Sequence, residues 1–160
     1  MTHPARLLLP LFTVFLLMTA VGCGTSKKNL NGIDLHLDTI SKVERNGSSV
    51  ALTAVIRYTN ETVVPIGITG SDITLFINGM EIQRVESTRP IGTPSFGSNT
   101  QETVFTLADA SQASALLAAL RTGSVSYRLE TRLEIMSGET ELFSKPISSG
   151  TVSLSGVDIP

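Results

Sequence analysis

From Ile33 onward, apolar residues recur at every second position and not at helical spacing. Ile33, Leu35 and Leu37 alternate with Asp34, His36 and Asp38, the pattern of a strand with one buried and one wetted face. Asn46-Gly47 marks a turn, and Val50, Leu52, Ala54, Ile56 and Tyr58 carry the alternation through a second, longer strand. A loop, N-E-T-V-V-P, follows. Ile73, Leu75 and Ile77 then lead into Asn78-Gly79, a pair that favours the two-residue type I′ hairpin because both residues tolerate positive φ. The return strand begins at Met80 and Ile82, which predicts Leu75 opposite Ile82. Residues 87–99 (STRPIGTPSFGSN) hold two Pro and two Gly without a period and are expected to form a loop.

Thr100 to Leu107 again has strand character. Asp109 then precedes the segment A-S-Q-A-S-A-L-L-A-A-L-R, where the period changes. Ala113, Leu116, Leu117 and Leu120 fall on one stripe at helical spacing. Asp109 can cap that helix, Gln112 occupies the capping-box position and Gly123 ends it, so one short helix is expected over about 110–122. In the next strand Val125, Tyr127, Leu129, Leu133 and Ile135 face inward, while Arg128, Glu130, Arg132 and Glu134 face outward. A last pair of strands covers Thr140 to Phe143 and Gly150 to Leu154. About seven short strands with turns between them and one helix predict a mostly-β chain, an antiparallel β-sandwich.

The first residues follow another pattern. Met1 to Arg6 is short and carries one side-chain positive charge, at Arg6. Leu7 to Val21 is uncharged and mostly apolar over 15 residues. As a helix that run is about 22 Å long, short of the ~30 Å hydrocarbon core of a bilayer. A cleaved signal peptide is therefore favoured over a membrane span. Small residues, Ala20 and Gly22, then precede Cys23, the only cysteine of the chain. One Cys forms no internal disulfide. A metal site would have only His3 and His36 to draw on for imidazole, and a nucleophilic thiolate would have His36 alone as its base after processing.

A-V-G-C resembles the bacterial lipobox, Leu-Ala/Ser-Gly/Ala-Cys, with Ala20 in place of the usual Leu. The resemblance implies a diacylglyceryl group on the Cys23 thiol, cleavage after Gly22 and acylation of the new amine. Two or more such chains hold a protein firmly on a membrane. The expected organisation is a signal peptide (1–22), a lipidated N-terminus with a flexible tether (23–32) and a sandwich domain (33–156). The tether, of about 8 residues, would span at most about 28 Å. Gly24 in place of Asp after the lipidated Cys implies the outer membrane, facing the periplasm, if the host is Gram-negative.

Charge narrows the partners. The chain has 12 Lys and Arg against 14 Asp and Glu, a net charge of −2, and loss of Arg6 with the leader makes it more acidic still. Lys27-Lys28 is a pair in the tether and no basic patch exists, so no nucleic-acid partner is expected. With no Cys to pair, an exported domain must be held by burial and hydrogen bonds. Asp34, His36 and Asp38 share one face, about 6.6–7 Å apart. They read as a solvated strand face; as a metal site they would need a third ligand from a neighbouring strand. T-G-S-V-S lacks the spacing of a nucleophile elbow, and Gly67-Ile68-Thr69-Gly70 lacks the Lys and helix of a phosphate loop. The Arg128–Glu134 alternation suits neutralisation across strands more than an acidic partner. No catalytic, cofactor-binding or metal-ligating residue is assigned, and no small-molecule substrate is expected.

The segments V-I-R-Y-T-N-E-T-V-V-P-I-G-I (55–68) and D-I-T-L-F-I-N-G (72–79) resemble the late-embryogenesis-abundant type 2 family, whose module is also called the water-stress and hypersensitive-response domain. Asn60, Pro65 and the Asn78-Gly79 hairpin keep the family layout, while Glu61 stands where a Pro usually follows the Asn. The likeness covers about residues 30–155. It implies a seven-stranded, fibronectin-like sandwich with one helix and a non-enzymatic role, protection during drying, cold or osmotic stress. Two functions follow as expectations. One is a lipid-anchored protective domain with weak protein clients. The other is an envelope accessory module that binds one defined partner, the resemblance then reflecting fold alone.

Overall fold

A computed structural model describes residues 28–160; the expected signal peptide and Cys23 lie outside the described residues. Ten strands and one helix follow in order: β1 (Lys28–Asn29), β2 (Ile33–Asn46), β3 (Ser49–Asn60), β4 (Ile66–Ile77), β5 (Met80–Ser87), β6 (Ile91–Thr93), β7 (Gly97–Leu107), α1 (Ala110–Leu120), β8 (Ser124–Ser137), β9 (Thr140–Ser144) and β10 (Ile147–Ser153). They form two sheets. One is the antiparallel trio β2-β3-β7, and the other is built on the long antiparallel pair β4–β8.

The ten segments fill close to the seven strand positions that the sequence predicts. β9 and β10 lie end to end along one edge of β8: Leu133 to Ser137 pair with β9, and Ser124 to Glu130 pair with β10. β5 and β6 share the free edge of β4 in the same way. The chain changes partner at Thr131, whose N–H donates to the Pro146 carbonyl at 3.1 Å. Thus the two last strands each pair with β8, a mostly-β sandwich of four positions against three with a short β1 added outside β9.

Alternation in the sequence becomes burial in the structure. Leu35, Ile40, Val50, Leu52, Ala54, Ile56, Leu75, Phe105, Leu129 and Leu133 are completely buried between the sheets. A fully buried Leu, Ile or Phe contributes about 1.5–3 kcal/mol, so this shared core is the main force holding the layers together. The helix lays Ala113, Leu116, Leu117 and Leu120 onto it, the predicted stripe. Asp109 caps α1, its carboxylate accepting the Gln112 backbone N–H at 2.9 Å.

Several expectations are corrected. Leu75 faces Gln83, not Ile82, because the β4–β5 ladder slips by one residue between Leu75 and Phe76. Ile82 is the extra residue of that bulge, and its side chain remains buried. The 87–99 loop contains β6 and the start of β7, which obtain their hydrogen bonds from β4 and β3. The β2–β3 turn is Gly47-Ser48, since Asn46 still pairs with Ser49. Residues 28–30 of the expected tether lie along β9, where the Leu30 N–H donates to Phe143 at 2.7 Å. At the other boundary Val157 and Ile159, beyond residue 156, pack partly against the core.

Topology sorts the connections to two poles. The entry at Gly32, the β3–β4 loop, the β6–β7 turn and the β8–β9 turn share one pole. The Gly47-Ser48 and Asn78-Gly79 turns, α1 and the last residues gather at the other.

Candidate functional site

Cys23, the residue assigned to lipidation, lies outside the described residues, so the site with geometry to describe is the entry pole. Asn60, at the end of β3, is completely buried. Its amide donates to the Val64 carbonyl at 2.8 Å and the Pro94 carbonyl at 3.0 Å, with Thr93 O farther off at 3.5 Å. Its carbonyl accepts the Thr62 N–H at 2.9 Å and the Thr62 hydroxyl at 2.7 Å. One side chain therefore supplies the backbone hydrogen bonds that two loops lack, as buried polar groups require.

Around this hub the loops are drawn together. The Phe96 N–H donates to Thr62 O at 3.2 Å, and the Glu61 N–H donates to Gly32 O at 2.8 Å. Phe96 sits at φ 50°, a left-handed conformation that L residues seldom adopt. Gly97 beside it has no room for a side chain, since a Cβ would stand 2.5 Å from Pro94 Cγ. The result is a fixed tip with Val63, Val64 and Phe96 turned outward. The sequence shows Asn60 as a turn former but not as a buried one; V-V-P and P-S-F-G, apolar residues inside turn-rich segments, were the only trace of the tip.

A second feature is a groove of about 300 Å³ on the β4–β8 sheet, lined by Asp72, Arg84, Glu86, Arg132 and Glu134 together with Gly70, Ser71, Ser87 and Thr88. Three of its charged side chains pair with one another. Arg84 chelates Asp72, Nε to Oδ1 at 2.7 Å and Nη2 to Oδ2, and reaches Glu86 at 3.6 Å. That pairing, above all the hydrogen bonds to Asp72, pushes the Arg84 guanidinium up. Beneath the groove, burial pushes the Tyr58 hydroxyl up, partly offset by its hydrogen bond to Ser71.

On the D-L-H-L-D stretch, Asp34 stands opposite Thr59 and His36 opposite Arg57. Asp38, beside a ladder irregularity after Leu37, pairs with Arg57 at 2.9 Å across to β3. Among the described residues no three of His, Cys, Asp or Glu converge as metal ligands. In the outward row of β8, Arg128 pairs with Glu130 at 2.7 Å and lies 4.2 Å from the Phe76 ring centre. The ion pair runs along β8 and the contact across to β4 is cation–π, so the neutralisation seen here is within one strand and not across strands. Chemically the site can hold a surface in place; neither the groove nor the tip contains an imidazole or thiol.

No protein-family model matches the sequence, and no curated relative matches it either. Solved structures do share its shape. The structural-genomics target SoR45 superposes with a TM-score of 0.51 at 9% identity, over 81% of this chain and 93% of that one. An Arabidopsis thaliana protein, At1g01470, gives 0.47 at 17% identity, over 79% of this chain and 80% of that one. At2g46140.1, described as a candidate late embryogenesis abundant (LEA) protein, gives 0.45 at 16% identity, over 89% and 78%. What the chain has in common with SoR45 is the fold.

Proposed function

We propose that this protein is a non-catalytic, lipid-anchored envelope protein whose sandwich protects the membrane surface or its neighbours under drying or osmotic stress. The observation that carries the reading is A-V-G-C-G at the end of a 15-residue apolar run, directly ahead of the sandwich. It supports acylation of Cys23 and export. The sequence resemblance of residues 55–79 supports the protective role. The pairing of Arg84 with Asp72 and Glu86 in the groove fits it. Protection would act through shielding and weak contact with partly unfolded clients, with no cofactor.

Mass spectrometry of the native N-terminus tests the anchor: the expected species begins at Cys23 and carries fatty acyl mass. A chain that keeps Met1 and a free thiol refutes it. Survival of a deletion strain after drying tests the protective role, with loss of survival expected. Unchanged survival together with one stoichiometric crosslinked partner would replace it by the accessory-module function.

A further inference from the structure

Among the described residues, five large apolar side chains are exposed, and three of them meet at the entry pole. Val63 is 76% exposed, Val64 44% and Phe96 71%. The other two, Val104 and Ile147, stand singly on strands, as is ordinary for surfaces. The three tip residues come from two loops, Val63 and Val64 from one and Phe96 from the other, that Asn60 holds together. Phe96 faces outward from a left-handed backbone, so its exposure is built in. The tip also lies where the chain comes in. Glu61 bonds to Gly32, and β1 runs parallel to β9 with Lys28 opposite Leu142, two residues from the β9 start at Thr140.

We propose that Val63, Val64 and Phe96 insert into the lipid surface that carries the anchor, so that the domain stands on its entry pole. The proposal rests on acylation of Cys23. Eight residues lie between Cys23 and Gly32, a span of at most about 32 Å of chain, and the pole at Gly32 is therefore held within reach of the headgroups. Glu61 and Glu139 lie at the same pole, and among the described residues no basic cluster accompanies the tip. The contact is thus apolar wedging at the headgroup and acyl boundary.

The chain has no Trp, so Phe96→Trp places a single reporter at the tip. The full acylated protein is reconstituted into phosphatidylcholine vesicles with or without bromine on the acyl chains. Phe96→Trp is expected to shift to the blue on reconstitution and to lose at least half its emission to bromine. Val63→Trp gives the same reading should Phe96→Trp misfold. Val104→Trp, about 23 Å farther along β7, is expected to remain unquenched. Protein that floats with the vesicles while the tip reporter is no more quenched than Val104→Trp overturns the insertion and leaves the anchor intact. Protein that fails to float overturns both. A blue-shifted tip before lipid is added shows a second copy covering it, which also overturns the proposal.

Discussion

Asn60 spends both ends of its amide on backbone groups of two loops while lying completely out of solvent. Truncation would strand those carbonyls and the Thr62 N–H in a partly buried site. At about 1–3 kcal/mol for each buried group left unsatisfied, Asn60→Ala is expected to cost about 3 kcal/mol, read as a lower denaturant midpoint at unchanged slope. Tyr58 gives a second expectation, in pH. Burial holds its hydroxyl above the ordinary value near 10, so below that pH both folded and unfolded chains keep the proton. Above it the unfolded chain ionises first, and stability falls as pH rises through the higher folded value. Tyr58→Phe should lose that alkaline slope, measured as denaturant midpoints between about pH 8 and 11.

The hairpin shows what an element owes to local sequence and what it owes to neighbours. Asn78 and Gly79 both take positive φ, 48° and 81°, as the type I′ turn demands. Gly79→Ala is expected to cost about 1–2 kcal/mol in thermal or chemical unfolding, the penalty of an L side chain in that region. Asn78 also accepts hydrogen bonds from the Ser126 N–H and hydroxyl at 2.9 and 3.0 Å, binding the turn to β8. The turn was legible because its φ demand selects residue types, and the strands and α1 were legible because their periods are 2 and 3.6. The bulge at Ile82 was not: β5 must bury Ile82 and also meet β4, a constraint written in the partner strand. β6 was hidden for a related reason, its three residues being held by pairing with Ile66 to Ile68 and not by any pattern of their own. At the entry pole the sequence displayed the residue types, but their convergence depends on pairing between residues more than 30 positions apart.

At the scale of the molecule, two sheets and a helix share one core, and no described helix is long and apolar enough to cross a membrane. In the proposed anchored form, attachment depends on the acyl chains, with the apolar tip too small to hold the protein alone. Cys23→Ser is expected to move most of the protein from the membrane fraction to the soluble fraction, measured by fractionation and immunoblot; retention in the membrane would refute the anchor. The two poles carry a last consequence. Gly32 lies at one, while Arg121 holds the Pro160 carbonyl at the other. β8 runs 14 residues between them, a length of about 45 Å. Whatever is joined after Pro160, an epitope or a fluorescent label, starts that far above an upright domain's footing, which makes the sandwich a ruler of fixed height.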